Sequence, residues 1–156
     1  MDIVDFVAPD RVIVGLRAGS KTHLLAELAR RAAAATGLPQ KQIADVLEAR
    51  ESLGSTGVGG GIAIPHAQLA GLQAFYGLFA RLDRPIDYNA IDSHPVDLVF
   101  LLLIPANAKG HLPALAAIAR LLRDPAIADA LRRAEGAGAV YAALTRPGTA
   151  ASLMSQ

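Results

Sequence analysis

The chain has 156 residues, 53% of them apolar, with 15 Lys and Arg against 14 Asp and Glu and no cysteine. Such a length and apolar fraction suit one globular domain with one core. The near-neutral charge gives no source for nucleic-acid binding or a polybasic membrane patch, and without thiols there is no disulfide, thiolate zinc site or cysteine nucleophile. The acidic opening, MDIVDFVAPD, lacks the basic region of a secretory signal, and no apolar run approaches the ~20 residues that span a bilayer. A cytoplasmic protein without membrane insertion is expected, with proteins or small anions as its partners.

In chain order, RVIVGL (11–16) predicts a short strand from its β-branched residues. Ser20 then begins an amphipathic helix, SKTHLLAELARRAAAATG, in which Leu24, Leu28 and Ala32 share a face, Glu27, Arg30 and Arg31 point elsewhere, and Gly37 ends the run. Pro39 opens a second helix, where Ile43, Val46, Leu47 and Arg50 recur at helical spacing up to Gly54. After it comes GSTGVGGGIAIPHA (54–67), with a brief buried strand expected in GIAIPHA and His66 at that strand's exit. Strands follow over QAFYGLFARLD (73–83) and VDLVFLLLIP (96–105), the latter apolar enough to be covered on both faces and therefore central. Helices are predicted from about Leu112, over PAIADALRRA, and through GAVYAALTRP to a stop before Pro147, leaving 147–156 as a tail to a single domain over 1–146. Helix pairs alternating with strands around one doubly covered strand indicate a three-layer α/β sandwich.

The glycine loop is not a nucleotide cradle. No Lys lies between Arg50 and Lys109, so a Walker loop lacks its phosphate-reaching residue, and a dinucleotide fingerprint fails because Ile62 stands where its third glycine belongs. Both motifs also run strand, loop, helix, whereas this loop follows a helix and precedes a strand.

What surrounds the loop suits one task. A neutral imidazole, with an unperturbed pKa of ~6.5, is a nucleophile at physiological pH, so His66 can accept a phosphoryl group without an extra base. Once bound, that group carries roughly −1.5 to −2 charge. Arg50, the hydroxyls of Ser55 and Thr56, and the backbone N–H groups of glycines such as Gly57 and Gly59 are donors of the kind that would meet it. His111, between the central strand and a helix, is a second candidate, either donating to a phosphoryl oxygen or orienting His66. His23 and His94 are expected to be solvated.

These residues resemble a known family. RESLGSTGVGGGIAIPHA resembles the signature of the type-2 enzyme IIA domains of the bacterial phosphoenolpyruvate-dependent phosphotransferase system, the mannitol and fructose IIA family. The stretch from RPIDYNAIDSHP to ARLLRD resembles its nitrogen-regulatory branch, and the likeness covers roughly residues 3 to 146. The resemblance implies a mixed sheet between helical layers, a phosphorylated HPr-like protein as donor, and phosphorylation of His66 at Nε2. By position it also implies that His111 stabilises the adduct, Arg50 supports transfer, and Ser55 and Thr56 supply loop hydroxyls. No cofactor or metal is implied. Downstream partners would be regulatory proteins or, in the sugar-uptake version of the same chemistry, a sugar-specific IIB component. Two positions depart from the family pattern: Gly60 replaces a common Asn, and Ala67 a frequent Gly.

Two other classes remain open at this point. His66, His111 and Asp92 are ligand types for a metal-dependent hydrolase, although no HExxH or closely spaced ligand pair supports it. A binding module with a purely architectural glycine loop is the other.

Overall fold

A computed structural model describes residues 3–5, 7–109 and 111–145 of the chain. Its strands are β1 (Val12–Leu16), β2 (Gly57–Gly59), β3 (Ile62–Ala63), β4 (His66–Leu69), β5 (Tyr76–Ile86) and β6 (Val96–Pro105). The α-helices are α1 (Lys21–Thr36), α2 (Gln40–Ser52), α3 (His111–Arg123), α4 (Pro125–Arg133) and α5 (Ala137–Thr145). Local signals explain several boundaries. The Ser20 side chain accepts from the His23 N–H at 3.1 Å to cap α1, and Gly37 ends that helix in the left-handed conformation, with φ 77°. At α4, Asp124 caps and Pro125 opens the helix, while Arg81 Nη1 donates to the closing carbonyls of Leu131 and Ala134 at 2.9 and 2.8 Å.

The sheet is mixed and open, in the order β1-β5-β6-β3-β2, with β4 also paired to β6. β5 runs antiparallel to β6 and parallel to β1; β3 and β4 both run parallel to β6, Ile62 opposite Leu98 and His66 opposite Leu102. β6 is thus the central strand, as its unbroken apolar run predicts.

Side chains alternate across the sheet. Val99, Leu101 and Leu103 join Leu24, Leu28, Ile43 and Leu47 of α1 and α2. Leu98, Phe100 and Leu102 join Ile118, Leu131 and Val140 of α3 to α5. The expected single core is therefore two, because β6 is apolar on both faces and separates them. Each fully buried Leu contributes roughly 1.5–3 kcal/mol, so the two layers are independently well anchored.

Other expectations need adjusting. β5 begins at Tyr76 and runs on to Ile86, since pairing resumes at Ile86 and Val96 beyond a register shift. The glycine stretch is itself a hairpin, β2 pairing antiparallel with β3. The strand expected in GIAIPHA is split in two, and His66 opens β4 rather than closing the strand before it. Pro65 causes the split: it has no N–H to donate, although its carbonyl still accepts from the Leu102 N–H at 3.0 Å. The predicted tail, 147–156, lies outside the described residues.

Candidate active site

The central strand positions His66. Ala67 and Leu69 of β4 pack into the core under α1 and α2, so alternation turns His66 and Gln68 to the opposite face, the one that carries α3. The imidazole is half-buried. Its Nδ1 lies 2.8 Å from the Ile64 carbonyl oxygen. A carbonyl can only accept, so this bond requires a proton on Nδ1 and, in the neutral ring, puts the lone pair on Nε2. The backbone thus sets the tautomer of the neutral ring.

The neighbouring loop is tied to this carbonyl's residue. Ile64 N–H donates to the Thr56 carbonyl at 3.0 Å. Thr56 is in turn held by Glu51: its N–H donates to Oε1 at 3.1 Å, and its hydroxyl donates to Oε2 in a short contact. Tyr88, fully buried, lies with its hydroxyl 3.1 Å from Thr56 Oγ1. Burial, with the Glu51 charge adding to it, pushes the Tyr88 hydroxyl well above its usual range, so it stays protonated and donates to Thr56. Lys21 completes the group, its Nζ 2.8 Å from Glu51 Oε1 and 4.5 Å from the centre of the Tyr88 ring.

Ser55 donates to the Tyr88 carbonyl at 3.2 Å and accepts from the Gly57 N–H at 3.1 Å. Arg50, half-buried on the last turn of α2, donates from Nη1 to the Gly54 carbonyl at 2.9 Å and so braces the base of the loop. The hydroxyl protons of Ser55 and Thr56 are therefore engaged by Tyr88 and Glu51, and the Gly57 N–H by Ser55. Gly59 ends β2 opposite Ile62, just before the Gly60–Gly61 turn. His111 is the first residue of α3, and its side chain lies outside the described residues. His23 and His94 are exposed.

A second segment, residues 87–94, is fastened over the hairpin. Ile91 N–H donates to the Gly57 carbonyl at 3.2 Å, and Gly60 N–H donates to Asp92 Oδ2 at 3.0 Å. These contacts, from the Gly60 amide first and the His94 amide next, hold the Asp92 carboxyl below its ordinary range. That tether is complete at neutral pH and is lost only as pH falls through the lowered value. On the other side Arg132 Nη2 donates to the Gly60 carbonyl at 2.7 Å while bridging Asp97. Gly60 has φ 68° and open space where a Cβ would stand, with only Ile62 Cδ1 at 4.0 Å. Asn tolerates that conformation, so its absence leaves the turn held by backbone contacts to Asp92 and Arg132.

Lys21, Glu51, Tyr88 and Arg132 were not among the residues expected at the site. Two of them carry a readable signal. Lys21 stands in the first turn of a helix and Glu51 in the last turn of another, each at the end where the helix dipole opposes its charge. Such placement implies a specific partner, and here each partners the other.

Among the described residues, Leu53, Ile91 and Leu112 are the exposed large apolar side chains. Leu53 adjoins the loop, Ile91 is bonded to Gly57, and Leu112 follows His111. Also among the described residues, no group of three or more His, Asp or Glu could hold a metal ion, and no helix is long and apolar enough to cross a membrane.

Residues 5–146 match the family model described as phosphoenolpyruvate-dependent sugar phosphotransferase system, EIIA 2. The chain is 52% identical over 148 residues to a nitrogen regulatory protein from Bradyrhizobium diazoefficiens, with 94% of this chain and 97% of that one covered. Its fold is similar to that of the nitrogen regulatory protein IIA-Ntr from Neisseria meningitidis, with a TM-score of 0.84, 36% identity, and 88% of this chain and 95% of the other covered. A crystal structure of IIA mannitol from Escherichia coli shares the fold at a TM-score of 0.75 and 16% identity, with 89% and 99% covered.

Proposed function

Since the chain belongs to the EIIA 2 family of the phosphoenolpyruvate-dependent sugar phosphotransferase system, we propose that it is a phosphocarrier accepting a phosphoryl group on Nε2 of His66 from a phosphorylated HPr-like protein. The observation that carries this is the bond from Nδ1 to the Ile64 carbonyl, which leaves the lone pair on the other nitrogen. That pair attacks phosphorus, the bond from phosphorus to the carrier breaks, and its electrons stay with the carrier. Little covalent work falls to the protein in such a transfer, so positioning and charge stabilisation dominate.

Arg50 supplies the fixed positive charge nearest the loop in sequence. Ser55 can turn its single proton from the Tyr88 carbonyl to a phosphoryl oxygen, while buried Thr56 stays bonded to Glu51 and Gly57 and Gly59 let the loop pass close to Ala90 and Asp92. His111, at the first turn of α3, is assigned the stabilising role that the family resemblance implies. Arg50→Ala is expected to slow transfer roughly 100-fold, the scale on which losing one charge-stabilising donor acts. His111→Ala should slow transfer and also shorten the adduct's life. Single-turnover transfer and adduct decay, both followed by intact mass, check this; wild-type behaviour in both variants overturns the assignment.

The 52% identity to a nitrogen regulatory protein supports a regulatory role in the cytoplasm over sugar uptake. A dianion appearing on His66 changes which protein surfaces can dock there. Offering the phosphorylated protein a fructose- or mannitol-specific IIB component separates the two roles. Failure of the IIB to take the group is the expected result, and efficient onward transfer would favour uptake.

A further inference from the structure

Resting on the assignment of His66 as the phosphoryl acceptor, we propose that Glu51, held by Lys21, is the positioning residue for that histidine, acting through Thr56 and Ile64. The path is a continuous series of hydrogen bonds. Glu51 takes both the N–H and the hydroxyl of Thr56. The Thr56 carbonyl takes the Ile64 N–H at 3.0 Å, and the Ile64 carbonyl takes the His66 Nδ1 proton at 2.8 Å. Each step fixes the peptide plane that makes the next.

The head of this series is built to stay still. The Glu51 side chain is 6% exposed and that of Lys21 19%, so the pair is shielded from water and from screening by salt. Lys21 also lies against the Tyr88 ring, and the Tyr88 hydroxyl reaches Thr56. The four side chains therefore close a ring, and neither acid nor base can move alone. Both residues occupy helix ends where the dipole disfavours them, a cost that a mere surface pair would not justify. Arg50, one residue before Glu51, braces the same loop at Gly54. The last turn of α2 thus contributes one residue that braces the loop and one that aims the nucleophile.

The test uses the full-length protein and two variants, Glu51→Gln and Lys21→Met, with Lys41→Met as a control on an exposed helix pair. Glutamine keeps the shape but offers Thr56 one acceptor oxygen instead of two. Two measurements are made. The 15N spectrum of the His66 ring, at a pH where it is neutral, reports which nitrogen holds the proton. Single-turnover transfer from the phosphorylated HPr-like carrier separates the rate at saturation from the half-saturating concentration. In the wild type and the control the proton is expected on Nδ1 alone. In both test variants the two tautomers should mix, and the saturated rate should fall roughly 10- to 100-fold, the scale of a small misplacement of a reacting group. The half-saturating concentration should hold, because the docking surface is untouched.

A wild-type ring spectrum in folded Glu51→Gln and Lys21→Met overturns the proposal, even if transfer slows. Should Glu51→Gln not fold, Lys21→Met decides by the same criteria. A wild-type protein that takes up no phosphoryl group defeats the phosphocarrier assignment instead; the ring spectrum then still decides whether Glu51 sets the tautomer.

Discussion

Replacing His66 with alanine should reduce phosphoryl uptake to background when the protein is mixed with phosphoenolpyruvate, enzyme I and an HPr-like carrier. Intact mass of the wild type should show the gain of one phosphoryl group, labile to acid and stable to alkali as expected for a phosphorus–nitrogen bond. His23 and His94 are not expected to substitute. They are exposed on α1 and in the 87–94 segment, outside the stretch that carries Arg50, Ser55 and Thr56. The fold should survive the change, because the ring is half-buried and its bond to the Ile64 carbonyl spans only two residues. A variant that folds and still acquires the full adduct would remove His66 from the mechanism.

Gly57 is where the largest effect on stability is expected. A Cβ there would stand 2.8 Å from both the Cα and the Cβ of Ala90 and 3.2 Å from the Tyr88 ring. Two of these neighbours belong to a backbone segment that cannot swing aside, since it is bonded to the hairpin through Ile91 and Asp92. Gly57→Ala is therefore an overpacking change, worth about 1–3 kcal/mol. At ~2–4 °C per kcal/mol for a chain of this size, the melting temperature should drop by about 2–12 °C. Gly138 in α5 has nothing within 4 Å of its added Cβ and no left-handed φ, so Gly138→Ala should leave the melting temperature unchanged or slightly raised. Equal melting of the two variants would show that the close crossing at Gly57 does not limit packing.

The parts of this architecture that could be read beforehand are those where one local signal dominates. β6 spans 96–105 as expected, because ten residues of near-continuous apolar character admit no competing pattern. α1 is bounded by Ser20 and Gly37, whose capping roles are written in their chemistry. His66 stood out because an imidazole beside a glycine loop has few structural uses. The hairpin from Gly57 to Ala63 was hidden by the same glycines: with few side chains there is no alternation to recognise. The break at Pro65 was hidden because it interrupts pairing with a strand thirty residues further on. Glu51, Lys21 and Tyr88 could not be grouped from spacing at all, since three elements bring them together. Only the reversed charges at two helix ends hinted that Glu51 and Lys21 had a shared purpose.

The pairing of β3 and β4 with β6 also dictates when His66 takes its place in the sheet. Among the described residues β4 pairs with β6 and with no other strand, so its register at His66 is not set until the ribosome has delivered the chain through Pro105. A product ending earlier would lack the strand that holds β4 in register, and only the bonds from Ile64 to Thr56 and from His66 to Ile64 would remain to place the ring.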